Sequence, residues 1–342
     1  NQGYLLEQCV VWQRLSEYLG WQCDNVRAAY SEISQDIQNE VYAGARAFVQ
    51  ANKGRYKCGG YIYTGEGQDL GQFWAELNVG NAKVKKTTAN EIVTNGNAMY
   101  SIAGATFGIF SDQNCSNKIG TLTTNENGET NEVEVTAGNV YIKELSAPKG
   151  YKLDTTVHSL KVEAGKTAVL NVSDVPKVTE TLVDLFKIDM ETGKATAQGD
   201  AALAGAEFTW HYYDGLYTKD NLPEKATRTW VTKTVDEKDS NGNIHYVTKL
   251  ADDYKVSGDT FYTQNEKSVL PLGTLTVEET KAPDGYLLDG AYMQAGDSTE
   301  QIKGIYLTQI TEDGELAVLS GSNQYSVSDQ VIRGGVKIQK RD

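Results

Sequence analysis

The feature that most constrains what this chain folds into is a set of five short motifs that occurs twice, in the same order, within 342 residues. A lysine-bearing strand comes first: Ala82-Lys-Val-Lys-Lys86, and later Val183-Asp-Leu-Phe-Lys187. Ala-Gly-Ala-x-Phe follows at 103–107 and again at 204–208. Next is a strand carrying a glutamate, Glu144 or Glu279, which runs into Ala-Pro-x-Gly-Tyr ending at Tyr151 or Tyr286. An alternating strand with Val-Ser-Asp closes each set, at Asp174 and at Asp329. Proline removes a ladder donor and glycine permits a turn, so each glutamate lies just before the end of its strand. Five features in one order make coincidence a poor explanation and imply two related domains. Lysine and glutamate are 58 residues apart in the first copy and 92 in the second, so the second carries inserted loops. Closure entropy rises slowly with loop length, which lets such insertions accumulate.

Composition narrows the class. The length alone suggests two or three domains. With 33 Gly and 20 Tyr against 5 Pro and 3 Met, the chain favours strands and turns over a helical bundle. A net charge of −14 argues against nucleic acid or an anionic membrane as partner. No apolar run reaches the roughly eighteen residues of a membrane span. The chain starts within what reads as a helix, without a signal peptide, and stops at Lys340-Arg-Asp342 within what reads as a strand. It is therefore expected to be an internal piece of a longer protein, with further domains on both sides. Cys9, Cys23 and Cys58 crowd the first sixty residues; one disulfide to Cys58 is a candidate, but four cysteines do not make a disulfide scaffold.

Residues 1–80 form the one helical region. Leu5, Gln8, Trp12 and Leu15 share a helix face. A second helix is expected from an apolar stripe of Val26, Tyr30, Ile33, Ile37, Val41, Ala45 and Phe48, capped at Asp24 or Asn25. Short aromatic strands broken by glycines follow at Cys58–Tyr63 and Gln72–Trp74. From 81 to 177 the pattern changes to strands at Ala82–Thr87, Thr106–Phe110, Val133–Val135, Val140–Glu144, Ser159–Val162 and Ala168–Val172. A Greek-key sandwich or small barrel closes such a set. The same plan restarts at 178 and runs to 333, with an insertion at 213–270 expected as a hairpin standing off the domain. A further domain opens at 334–342.

If the first and last strands of each domain pair in an apolar interior, burial drives a lysine towards its neutral amine and an aspartate towards its neutral acid. Such a pair can condense to an amide, with a glutamate between them moving the protons. The competing reading is a set of surface ion pairs worth under about 1 kcal/mol each. The lysine strand, Ala-Gly-Ala-x-Phe, Glu-x-x-Ala-Pro-x-Gly-Tyr and terminal Asp strand resemble the SpaA, or collagen-adhesin B-type, domains of Gram-positive surface proteins and pilins. That resemblance implies a mainly β chain of tandem Ig-like or prealbumin-like sandwiches behind a small N-terminal α+β domain. It also implies Lys86–Asp174 and Lys187–Asp329 isopeptide bonds formed under Glu144 and Glu279. The acceptor is Asp in place of the commoner Asn, Lys83 and Lys85 flank Lys86, and Asn323 is an alternative acceptor in the second domain.

Gln8 reads either as a hydrogen-bonded core glutamine or as something more reactive. Gln8-Cys-Val-Val-Trp12 resembles the Gln-x-x-apolar-Trp signature of adhesin thioester domains, in which a glutamine acyl group is joined to a cysteine. The family's cysteine lies upstream of its glutamine, so the resemblance implies the C-terminal part of such a domain here. Scattered His158, His211 and His245, and the lack of a phosphate loop or Cys-x-x-Cys, point to no metal, cofactor or turnover chemistry. The expected protein is an extracellular, wall- or pilus-attached stalk presenting an adhesion domain to a host protein or glycan. The alternative is a non-covalent receptor module binding through Tyr212, Tyr213, Tyr217 and Trp230, since aromatics are enriched at hot spots.

Overall fold

The structure is a computed structural model that describes residues 31–64, 70–179, 184–295, 301–311 and 324–334. Gln8, Cys9, Cys23, the expected first helix, Asn323 and residues 335–342 lie outside the described residues. The chain packs as two compact units. One takes in the chain to Asn81 with Glu134–Gly138 and Lys161–Lys166, and the other takes in the remainder.

In the first unit, helix α1 spans Gln35–Ala51. The continuous stripe expected from Val26 to Phe48 is interrupted at Ser34, whose backbone is extended and whose hydroxyl accepts the Ile37 N–H at 3.5 Å. A serine side chain offers the backbone a partner of its own, which starts a helix instead of continuing one. Ile37, Phe48 and Val49 of α1 are exposed. Strands β1 (Tyr56–Tyr63) and β2 (Leu70–Leu77) pair antiparallel along their whole length. The glycines do not break β1 as expected. A Cβ at Gly59 would lie 2.5 Å from the Trp74 ring and one at Gly60 2.6 Å from the Phe73 ring, so they make room for aromatic partners. Cys58 on β1 is exposed and has no disulfide partner among the described residues, its candidate partners Cys9 and Cys23 lying outside them.

The first sandwich sets the sheet β6-β3-β9 against β5-β4-β7-β8. Its strands are β3 (Val79–Thr88), β4 (Thr106–Phe110), β5 (Lys118–Thr123), β6 (Val133–Thr136), β7 (Gly138–Ser146), β8 (Val157–Val162) and β9 (Thr167–Asp174). Sequence reading missed β5, whose residues are mostly exposed and include a central glycine. Period-two alternation decides what each strand buries. On β3 it turns Ala82, Val84 and Lys86 inward and leaves Lys83 and Lys85 partly exposed.

The second sandwich is larger. The short strand β10 (Val178–Thr179) leads to β11 (Asp184–Asp189), β12 (Glu207–Tyr213), β13 (Arg228–Lys233), β14 (Val235–Lys238), β15 (Ile244–Thr248) and β16 (Lys255–Gly258). After them come β17 (Tyr262–Gln264), β18 (Lys267–Pro271), β19 (Gly273–Lys281), β20 (Tyr286–Ala295), β21 (Gln301–Lys303), β22 (Tyr306–Ile310) and β23 (Gln324–Val331). One six-stranded sheet runs β14-β15-β11-β23-β20-β21 and one five-stranded sheet β16-β13-β12-β19-β22.

The 213–270 segment does not stand off the domain. Its β13 lies in register with β12, Trp210 opposite Trp230, and its β15 pairs with β11, Lys187 opposite Tyr246. Tyr212, Tyr213 and Trp230 are buried, and Tyr217 is half-buried with its ring edge-on to Tyr213. Tyr212, Tyr213 and Trp230 are core, so those three do not offer the ligand surface expected of them. The inward face of a strand takes the large apolar side chains, and an inserted strand that joins a sheet obeys the same rule.

The two sandwiches share one apolar core at their junction. Val93, Met99 and Tyr100, around the short helix α2 (Glu91–Thr94), belong to the same buried cluster as Trp210, Tyr212 and Leu272. The Tyr100 hydroxyl donates to Lys177 O at 2.6 Å and accepts the Leu272 N–H at 2.9 Å. Asn97 Nδ2 donates to the Tyr212 hydroxyl and to Leu272 O, and β10 pairs with β18. Burial pushes the Tyr100 phenol well above its ordinary pKa. Each of these groups would cost on the order of 1–3 kcal/mol if left buried without its partner. Tyr100→Phe is accordingly expected to lower the thermal midpoint by several degrees with both sandwiches unfolding together; a midpoint equal to wild type would contradict a shared core.

Candidate functional site

In the first sandwich, β7 turns Val140, Ile142 and Glu144 inward and β9 turns Val172 and Asp174 inward, facing Lys86 on the adjacent β3. The Lys86 side chain has 0% exposure, and its Nζ donates to Glu144 Oε1 at 2.6 Å. The same amine lies against Asp174 Oδ2, off the direction of a hydrogen bond, and among the described residues neither Asp174 oxygen accepts one. Glu144 Oε2 accepts the main-chain N–H of Asp154 at 2.8 Å.

The second sandwich repeats this arrangement. Strands β11 and β23 are parallel neighbours, with Lys187 opposite Val327 and Asp189 opposite Asp329. Residues two apart on a strand share a face, so Lys187 and Asp329 point into the same interior. Lys187 Nζ donates to Glu279 Oε2 at 2.5 Å and stands 2.6 Å from Asp329 Oδ1. Side-chain exposure is 0% for both Lys187 and Asp329. Asn323, the alternative acceptor, lies outside the described residues.

Burial dominates the electrostatics. It raises the Glu144 carboxyl, against the opposing pull of Lys86 and of the Asp154 N–H, and it raises Asp174. It pushes Glu279 up to about 8, with Lys187 opposing and Asp329 adding to the rise. Three ionisable side chains thus share each dry interior, and burial raises the carboxyl pKa of Glu144, Asp174 and Glu279.

The repeated motifs each have a local job in this geometry. Within Ala-Gly-Ala-x-Phe, Gly104 and Gly205 both have φ of +88°, a conformation glycine adopts without strain. The next alanine N–H is taken by Thr124 Oγ1 in one sandwich and by Thr234 Oγ1 in the other. A bulge then falls just before each phenylalanine and sets Phe107 opposite Glu144 and Phe208 opposite Glu279. The Lys86 amine lies 4.9 Å from the Phe107 ring centre and the Lys187 amine 5.9 Å from that of Phe208. Sequence reading found the motif but not this role for its ring; a phenylalanine at the same offset in both copies was the available signal. At the Pro-x-Gly-Tyr turn, Gly150 and Gly285 have φ of +82° and +84°, and the tyrosines they deliver are buried.

Asp189 was also missed. It is buried one inward position beyond Lys187, where it accepts hydrogen bonds from Thr192 N, Gln198 Nε2 and the Tyr286 hydroxyl. Those donors hold its carboxyl below the ordinary range although burial opposes them. It is a satisfied structural acid, distinct from Asp329, whose oxygens accept no hydrogen bond among the described residues and lie against the Lys187 amine.

Residues 80–176 match the SpaA prealbumin-like fold domain model. The trypsin-resistant surface T6 protein of Streptococcus pyogenes is 34% identical over 88 residues, which cover 23% of this chain and 16% of that protein. Among solved structures, the Bacillus anthracis TIE protein is 21% identical with a TM-score of 0.43, over 81% of this chain and 41% of that one. A C-terminal fragment of the pilus adhesin SpaC from Lactobacillus rhamnosus GG is 17% identical with a TM-score of 0.37, over 75% of this chain and 99% of the fragment. Among the described residues no helix is long and apolar enough to cross a membrane. The segment 80–176, which carries the inward lysine, glutamate and aspartate of the first sandwich, is thus similar to the SpaA prealbumin-like fold domain.

Proposed function

We propose that the chain is part of the stalk of a Gram-positive surface adhesin or pilin, and that its two sandwiches are locked by Lys86–Asp174 and Lys187–Asp329 amide bonds. The observation that carries this reading is the twofold recurrence of a fully buried lysine amine set against one glutamate and one aspartate. A structural ion pair would need neither the second carboxyl nor aspartate oxygens left without hydrogen bonds.

The chemistry follows from the contacts. A proton passes from the Lys86 amine to Glu144 Oε1 at 2.6 Å, leaving a neutral amine. Its nitrogen attacks Cγ of the protonated Asp174 carboxyl, and the N–C bond forms. Glu144 returns its proton to the departing hydroxyl as the C–O bond breaks, and the nitrogen's remaining extra proton passes to Glu144, so that one water leaves and the glutamate ends as an acid. Glu279 does the same for Lys187 and Asp329. Each glutamate acts once on its own chain, so the domains are not turnover enzymes. Joining strands about 90 and about 140 residues apart would constrain the unfolded chain by about 5 kcal/mol each in the loop-closure model. Anchoring to the cell wall or a pilus and contact with host tissue are part of the same proposal, in line with the surface and pilus proteins this chain resembles.

Protease digestion should release a branched peptide joining the Lys86 and Asp174 segments and another joining those of Lys187 and Asp329. Glu144→Gln should abolish the first and leave the second; separate linear peptides from wild type would contradict the reading. The bond-free site should also show its burial in pH dependence. A carboxyl with a raised folded pKa stabilises most below its unfolded value, and that contribution is lost as pH rises through the folded one. A Lys187→Met chain, which keeps Glu279 beside Asp329 with no amine, should therefore lose thermal midpoint from pH about 5 to about 9. Adding Glu279→Gln should flatten the profile, and a flat profile in Lys187→Met alone would contradict the raised carboxyl.

A further inference from the structure

We infer that Asp154 is a positioning residue for bond formation in the first sandwich, holding Glu144 in place through its main-chain N–H. This rests on the amide-forming role proposed for Glu144. A carboxyl that relays protons between two partners has to keep one oxygen on the amine while its plane stays fixed, because misplacement by about an ångström slows such steps steeply. Glu144 Oε1 is on Lys86, and its other oxygen accepts the Asp154 N–H at 2.8 Å. That second bond keeps the glutamate from rotating away. It also favours the charged form that must first take the lysine proton, against the burial that disfavours it.

The donor is itself held. After the Pro-x-Gly-Tyr turn the chain runs without regular structure from Lys152 to Thr156, between the turn and β8. Nothing in a sheet ladder fixes the direction of the N–H of residue 154. Its own side chain does so: Asp154 Oδ1 accepts the Thr156 N–H at 2.9 Å, and Oδ2 lies 3.2 Å from His158 Nε2 on β8. These bonds outweigh partial burial and hold the Asp154 carboxyl below its ordinary pKa, so it stays an acceptor. The side chain thus acts on Glu144 through the backbone, without touching it. An aspartate recurs ten residues after the glutamate in the second copy, Asp289 after Glu279, at the same step beyond Gly-Tyr.

The test follows cross-link formation in the full chain after cell-free synthesis, by mass spectrometry of the two branched peptides against time. Asp154→Ala should slow the Lys86–Asp174 bond about tenfold or more while the Lys187–Asp329 bond in the same molecules forms at its wild-type rate. Asp154→Asn, which keeps an oxygen for the Thr156 N–H, should restore most of the rate. A second measurement excludes a merely structural effect: in a bond-free Glu144→Gln background, Asp154→Ala should leave the thermal midpoint nearly unchanged. An unchanged first bond in Asp154→Ala, or a midpoint that falls in step with the lost rate, would overturn the positioning role. Wild type lacking both cross-links would instead overturn the amide reading itself, and this role with it.

Discussion

Taking a lysine amine out of water is the constraint on which the rest of this structure turns. A lone ammonium in an apolar interior costs several kcal/mol, and even a good ion pair rarely recovers its desolvation. Here two lysines are wholly buried, each against two carboxyl groups. Condensation of amine and aspartate would remove the difficulty: two ionisable groups would become one neutral amide, beside a glutamate whose pKa burial raises. On this account the motifs that surround each cluster exist to make the interior dry and the three groups adjacent. The bulge aims the phenylalanine ring at the amine, and in the first sandwich the chain after the Pro-x-Gly-Tyr turn brings the Asp154 N–H onto Glu144.

The placement of the clusters within the sandwiches gives the proposed bonds a mechanical meaning. Strands β11 and β23 are parallel neighbours, so a load that enters before Lys187 and leaves after Asp329 pulls them in shear. A covalent link between those two residues would carry that load and shield everything between them. The same holds for β3 and β9, which are also adjacent. The junction adds a different kind of stiffness, because the polar network of Asn97, Tyr100, Tyr212 and Leu272 lies in an apolar core common to both sandwiches. That network involves residues inside the segment that the first bond would shield.

Much of this was legible in the sequence because repetition separated signal from background. The motif order located both triads, and strand alternation explains why Lys86 is inward while Lys83 and Lys85 are not. What was not legible depended on tertiary partners. Tyr212, Tyr213 and Trp230 looked like a binding surface because they fall in an inserted segment; only the pairing of β13 with β12 and of β15 with β11 shows that the insertion widens the sheets and buries them. Gly59 and Gly60 read as strand breakers until the Trp74 and Phe73 rings opposite them were placed. The break at Ser34 lay within an unbroken apolar stripe, and only its capping bond shows that the helix begins there. The Asp154 N–H was invisible because a main-chain donor leaves no trace in residue identity.

The most direct measurement is the intact mass of the purified chain. Two amide bonds make the polypeptide lighter than its sequence mass by two waters, and Lys86→Ala and Lys187→Ala chains should each be lighter by one. A wild-type chain at its full sequence mass would show that the amines and carboxyls meet in these interiors without joining, and the account would fail.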